Sequence, residues 1–501
     1  MNSFGLRLSA AALLIPALVF AQRTIYVDGT STNCPGTGSA SNPFCRIQTA
    51  IQSAGNGDTV LVLPSTYREN LDFLGKAIAV RGREGSRLTI LDAGQSGSGV
   101  VFDKGEGPAS ILAGFTIQNG TGTLITIFSG SGVAGGGILC RQTSPTISQV
   151  VLTSNQAGYG GGIGGVYASP VLTDVVMRGN VATANGGGAC FMFSSKPLLT
   201  GCSFTGNSCG HTGGGLNFRN DSFPVLVNCL FDANWATDMG GAIRAGALSG
   251  CVITNCTFHR NSSVYGGAVA AGSDTVGNIQ TTLIRNSIFW NNTANFGPDL
   301  SLNGGYPAII DIAHSDVGAG QASVYVQSTS FVLVWGAGML TANPGFVDAA
   351  TGDFHLRHPS PCRDAGTNLA ANLPTTDSEG DPRIAYATAD MGADEFFTHL
   401  YHTGNPTPGG TIANKITGIP STQALWLAAP SVVTPPVQIP GIGGALHLDL
   451  QGMLVVPLGM LPPDGFVTLP FQFPLGFPRV AIPTQALTGL QLSNLEVVRV
   501  Y

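Results

Sequence analysis

Residues 213–239 read GGGLNFRNDSFPVLVNCLFDANWATDM, and at Gly240 the pattern begins again with GGAIRA. Asn234 is one of a line of asparagines, Asn155, Asn180, Asn207, Asn234 and Asn261, spaced by 25, 27, 27 and 27 residues. Each follows a bulky apolar residue by three positions: Leu152, Met177, Phe204, Phe231 and Phe258. Glycine clusters starting at Gly135, Gly160, Gly186, Gly213, Gly240 and Gly266 keep the same phase, as do Pro145, Pro170, Pro197 and Pro224. Three residue types on one period specify a repeat architecture. Apolar residues alternate within each piece, and no unit has room for a ten-residue helix, so the repeat is one of strands.

About 26 residues suits one coil of a right-handed parallel β-helix with three strands per coil. One coil cannot bury its own apolar face. Stacking the next at about 4.8 Å buries it and pairs the backbone. Identical positions then touch, which predicts a stack of Phe204, Phe231 and Phe258 and a hydrogen-bonded column of asparagine amides. Cys202, Cys229 and Cys256 share the period and are expected as a buried thiol ladder rather than a metal or redox site. FTIQN at residues 115–119 and FWNN at 289–292 read as an earlier and a later coil, and residues 59–63, 78–80 and 88–91 as the first coils. The beat breaks at residues 120–134 and 271–280, where loops are expected beside a binding surface.

The rest of the chain divides around this core. Arg7, the apolar residues 11–20 and Val19-Phe20-Ala21 read as a secretory signal, with the mature chain starting at Gln22. Residues 22–58 supply an N-terminal strand, a loop closed by a Cys34–Cys45 disulfide, and a capping helix within residues 45–54. Residues 59–397 form the β-helix, ending in a closing segment at 360–396. Residues 402–501 carry only Lys415, Arg479, Arg499, Asp449, Asp464 and Glu496 as Lys, Arg, Asp or Glu, and their proline-punctuated apolar runs predict a small β-sandwich-like domain. No later stretch is long and apolar enough to span a bilayer. Charged residues are 10% of the chain and net charge is -6, with scattered Lys and Arg, which excludes nucleic acid as an expected partner.

FTGN, FDAN, FHRN and FWNN, with GGAI at Gly240 and GGAV at Gly266, resemble the FxxN and GGA(I/L/V) repeats of chlamydial polymorphic outer membrane proteins. The wider likeness is to the pectin-lyase-like β-helix superfamily. Residues 25–67 resemble the opening of secreted bacterial β-helix proteins, and SPCRDAG, DSEGDPR and ADMGADEF within 360–396 resemble the closing segment termed choice-of-anchor Q. The superfamily resemblance implies two alternatives: a secreted or cell-surface bacterial protein that binds polysaccharide or serves as an adhesin-like element, or a polysaccharide lyase or glycoside hydrolase acting on an acidic glycan. The superfamily's enzyme motifs (a WIDH-like segment, RxPxxR, the NTD, DD, GHG and RIK set, and DPHD) do not occur here, so the expectation is a non-catalytic, monomeric glycan binder.

Repeat arithmetic gives the best catalytic candidates. His211 and Asp238 each precede a glycine cluster by two residues and fall on adjacent coils; Asn217 and Arg244 are equivalent positions just beyond, with Arg219 and Arg141 nearby. An imidazole, a carboxylate and guanidinium groups could bind or process an acidic sugar. The competing reading is a solvated stripe with an ordinary surface ion pair, and it is preferred. In the closing segment, Asp377, Asp381, Asp390 and Asp394, with Asp364 and Glu395, could hold Ca²⁺. The preferred alternative is that their carboxylates satisfy turn amides, with Arg383 as their buried partner.

Overall fold

The computed structural model describes residues 22–127 and 130–396, and beyond them the backbone of strands from Leu400 to Arg499. The signal segment at residues 1–21 lies outside the described residues. From Thr24 to Trp335 the chain winds as a parallel β-helix whose coils hydrogen-bond to their neighbours in register.

The repeat at 213–239 shows how residues make a coil. Leu216–Arg219 lies in a ten-stranded glycine stack, so named for the cluster before it. Val225–Val227 follows Pro224 into a twelve-stranded proline stack. Leu230–Asp232 carries the repeat phenylalanine into a ten-stranded phenylalanine stack. Three long strands per coil are as expected. A fourth, short strand, Trp235–Ala236, lies between the asparagine and the next glycines and belongs to an eight-stranded edge stack. Two corners need left-handed backbone. Gly213 turns with φ +73°, and a Cβ there would sit 2.6 Å from the Leu216 carbonyl oxygen, so only glycine fits. Between the proline and phenylalanine stacks one residue per coil turns with positive φ, among them Asn228, Asn255 and Asn286, the non-glycine type that tolerates this region best.

The interior holds the expected files. Phe204, Phe231, Phe258 and Phe289 are fully buried and stack with centroids 4.6, 5.0 and 4.6 Å apart and planes within 7°. The asparagine amides form a continuous ladder. Asn180 Nδ2 donates to Asn207 Oδ1 (3.0 Å) and to the Leu152 carbonyl (2.9 Å), while its Oδ1 accepts from the Asn155 backbone and side-chain amides. The pattern repeats to Asn292, which donates to the Asp299 carboxylate at 3.0 Å. Cys202, Cys229 and Cys256 are buried and free, with Sγ atoms directed at backbone carbonyls; their file continues in Ser287 and Ser315.

The strand register corrects two details. In the coil at 115–119, Ile117 takes the place of the repeat phenylalanine and Phe115 that of the cysteine file, since Ile117 pairs with Leu152; Gly120 therefore meets the ladder where an asparagine would stand. Residues 120–134 do not form a loop. Thr123–Ile127 and Gly130–Ala134 make an antiparallel hairpin that begins the edge stack.

At the N-terminal end, helix Ile47–Ser53 buries Ile47, Ala50 and Ile51 in the core. Glu69 accepts the Ile47 and Gln48 amides at its N-terminus, and Lys76 donates to the Ile51, Gln52 and Ala54 carbonyls at its C-terminus. These are groups a helix leaves unpaired. Cys34 and Cys45 are joined just before it.

After the last coil, Phe346–Asp348 pairs antiparallel with Asp353–Leu356. Residues 360–396 then run as a strap along the flank, not over the open end. Asn228 Nδ2 donates to the Thr376 carbonyl, Asn255 to those of Asp390 and Gly392, and Asn286 to that of Thr367. Arg383 is fully buried and donates to Asn228 Oδ1 (3.1 Å) and the Ala393 carbonyl (2.6 Å). Beyond Leu400 the strands pair antiparallel in sheets of three, five and two.

Candidate functional site

Two regions gather chemistry on the outside of the β-helix. The first is the corner where the edge stack turns into the glycine stack. His211 and Asp238 are neighbours there, as the repeat implies, with Nε2 and Oδ2 3.5 Å apart; His211 is 61% exposed. At that distance and exposure the pair is a weak surface contact. Asn217 and Arg244 are register partners, but both are buried. Asn217 Nδ2 spans the corner to Thr212 Oγ1 at 2.8 Å. Arg244 faces Asp274 at 3.5 Å and the Asn303 carbonyl at 3.4 Å, and burial lowers its pKa against the pull of Asp274 and Asp238. Arg219 is half-buried and pairs in register with Met192, and Arg141 reaches Asp103 at 3.4 Å. The corner therefore brings His211 to Asp238, while Arg244, on the outward side of a strand whose Ile243 and Ala245 face the core, is buried against Asp274 and the Asn303 carbonyl. Asp274 comes from residues 271–280, the second break in the repeat.

The same corner carries a row of rings. The residue before each glycine cluster lies on the lip: Asn185, Thr212, Met239, Tyr265 and Phe296 follow one another coil by coil. Tyr265 and Phe296 stack at 4.9 Å and 14°, and Tyr325, from the facing glycine stack, sits 5.2 Å from Phe296 and 5.8 Å from Tyr265. Phe296 is 42% exposed and the two tyrosines are half-buried. The row begins one coil beyond Asp238, whose carbonyl accepts the Val264 and Tyr265 amides, and runs in the file next to that of His211 and Asp238. Sequence reasoning followed the glycines and asparagines and missed it. The signal was the position just before each cluster, where Tyr265 and Phe296 recur.

The second region lies under the strap, on the outer face of the phenylalanine stack. Ser203, Leu230 and Thr257 form the floor of a pocket of about 240 Å³ whose far wall includes Phe354, His355, Glu379 and Asp394. His355 Nδ1 meets Asp353 at 2.6 Å and its Nε2 meets Glu379 at 2.9 Å. Burial disfavours a charged imidazole, but Asp394, Glu379 and Asp353 together outweigh it and hold His355 well above its usual pKa. Beside the pocket, Asp232 is buried between His259 (2.9 Å) and Arg260 (2.9 Å). Burial works to raise Asp232, and the hydrogen bonds from His259 and Arg260 overcome it and lower its pKa. Phe354 packs edge-on against His259 at 5.2 Å.

The acids of the closing segment accept backbone amides, as the preferred reading has it. Asp377 Oδ1 accepts the amides of Glu379, Gly380 and Asp381, and its Oδ2 that of Glu395. Asp390 accepts the amides of Asp364 and Phe396, and Asp394 that of Leu356. Among the described residues, the group of three ligand atoms within 4.8 Å of one another is His355, Glu379 and Asp394, so Asp394 meets partners other than Asp377, Asp381 and Asp390. Nothing periodic pointed to His355 or Glu379, which lie outside the repeat.

Residues 136–311 match the family model described as right handed beta helix region, the part of the chain that carries the repeats. No curated protein matches the chain. Among solved structures, the chain is similar to pectate lyase Pel9A, with 14% identity over 75% of this chain and 97% of that one (TM-score 0.47). It is also similar to tailspike protein 2 of bacteriophage CBA120, with 11% identity over 96% and 76% (TM-score 0.38). A third is tailspike gp49 of the Acinetobacter baumannii bacteriophage Fri1, a capsular polysaccharide depolymerase, with 9% identity over 90% and 83% (TM-score 0.29).

Proposed function

We propose that this protein acts outside the cytosol and binds an extended glycan along the corner between its edge and glycine stacks, without cleaving it. The observation that carries this reading is the row of Tyr265, Phe296 and Tyr325, one coil beyond the neighbouring pair of His211 and Asp238. Ring faces offer flat apolar surface to the C–H faces of sugars, and a few polar groups beside them take up hydroxyls, the usual composition of a binding cleft. Coils about 4.8 Å apart present these groups at even intervals, which suits a polymer. The burial of Arg244 against Asp274 supports binding over lyase chemistry, because a base must reach the proton it removes.

The test is a panel of acidic and neutral polysaccharides scored for both retention and cleavage. One or more should retain the protein, and Tyr265→Ala with Phe296→Ala should weaken retention at least about tenfold, the loss of about 1.4 kcal/mol, with the circular dichroism spectrum unchanged. Release of unsaturated sugars or new reducing ends, abolished by His211→Ala, would replace this reading with the enzymatic one.

A further inference from the structure

His355 is enclosed by three carboxylates, and their arrangement is ordered. Asp353 holds Nδ1 at 2.6 Å and so directs Nε2 to the other side of the ring, where Glu379 stands at 2.9 Å. Asp394 brings a third ligand atom within 4.8 Å of both. Histidines that bind metals are oriented in this way, with the second ring nitrogen donated to a carboxylate. The three groups come from the hairpin strand Asp353–Leu356 and from two places in the strap, at Glu379 and at Asp394. They converge at the wall of the 240 Å³ pocket, which leaves room for water in the remaining coordination positions.

The geometry points to a site for a divalent first-row transition ion, zinc or manganese, held by His355 Nε2, Glu379 and Asp394, with Asp353 as the residue that positions the imidazole. Imidazole with carboxylates suits these ions, whereas Ca²⁺ and Mg²⁺ take oxygen ligands. Ligand bonds of about 2.0–2.2 Å fit a cluster this tight with small side-chain movements. Charge also favours a dication. Asp353, Glu379 and Asp394 together carry a formal charge of -3; a proton on His355 leaves -2, whereas a dication beside a neutral imidazole leaves -1. The site lies on a different face from the ring row and does not depend on glycan binding.

The test uses the full chain, stripped with a chelator and titrated calorimetrically with Zn²⁺, then with Mn²⁺ and Ca²⁺. One equivalent of Zn²⁺ should bind saturably and raise the unfolding midpoint, Mn²⁺ should compete for the same site, and Ca²⁺ should not saturate. Glu379→Gln, at a side chain 40% exposed, should weaken Zn²⁺ at least about tenfold, with the metal-free variant still folded by circular dichroism. Asp353→Asn should weaken it by about 10–100-fold as an orienting partner does. If Zn²⁺ shows no saturable binding, or binds Glu379→Gln and His355→Gln as tightly as the parent, the site is not there. Should His355→Gln fail to fold, Glu379→Gln decides alone.

Discussion

At the residue scale, the asparagine ladder is a chain of mutual obligations. Asn234 Oδ1 accepts the Asn207 backbone and side-chain amides, and its Nδ2 serves Asn261 and the Phe204 carbonyl. Asn234→Leu removes all four bonds and leaves buried donors and an acceptor without partners. A loss of about 3–5 kcal/mol is expected, read as the shift in a denaturant midpoint. Asp316 gives a pH signature of opposite character to an ordinary salt bridge. Burial pushes its pKa up to about 6, against hydrogen bonds from the Cys362 thiol and the Ala342 amide. A carboxyl raised in the folded state favours the protonated form. Its contribution is complete below the unfolded value of about 4 and is lost as pH rises through about 6, an effect of about 2 kcal/mol. Comparing unfolding midpoints from pH 4 to 8 should show a smaller decline in Asp316→Asn than in the parent, the remainder coming from Asp390, which burial also pushes up to about 6. The ladder was legible because its members recur on one beat. Asn228, Asn255 and Asn286 also recur, at 27 and 31 residues, but the partners that give them meaning lie in the strap, 148 residues from Asn228 in the case of Thr376. No local pattern announces that.

At the scale of elements, the strap is anchored by the buried Arg383 together with Asn228, Asn255 and Asn286. Replacing Arg383 with Met leaves the Asn228 oxygen without its donor, leaves the Ala393 carbonyl with the Ser378 amide alone, and takes the guanidinium from beside the buried Glu395, 3.8 Å away. The strap should loosen by about 3 kcal/mol or more, seen as new proteolytic cleavage within residues 360–396 while the coils stay protected. The long strands were readable from alternation and from the prolines and glycines that bound them. The edge stack was not, because strands such as Trp235–Ala236 have two residues, too few for a period. The hairpin at Thr123–Ala134 was missed for a related reason: an interruption of the beat says that something is inserted, and the insert's own pairing lies outside the repeat.

For the molecule as a whole, a solenoid is only as soluble as its ends. The helix Ile47–Ser53 covers the first coil with Ile47, Ala50 and Ile51, and Glu69 and Lys76 tie down its two termini. Ile51→Asp would force a carboxylate into that contact and lift the lid from strand edges that can pair with another chain. Light scattering should then show self-association that the parent lacks, and the unfolding midpoint should fall by several degrees. The candidate binding row was half visible at this scale: its ionic members followed from coil arithmetic, and its rings needed the two stacks to be seen meeting.

The asparagine file also has a sense of direction. Every amide from Asn155 to Asn261 hands its proton to the neighbour on the C-terminal side, so the small dipoles add instead of cancelling, as they do along a helix. The positive pole falls at Asn292, where the chain supplies the Asp299 carboxylate. An anion there both answers the pole and ends the series, since it has no proton to pass on. A duplicated coil could therefore lengthen the file anywhere before Asp299, and nowhere after it.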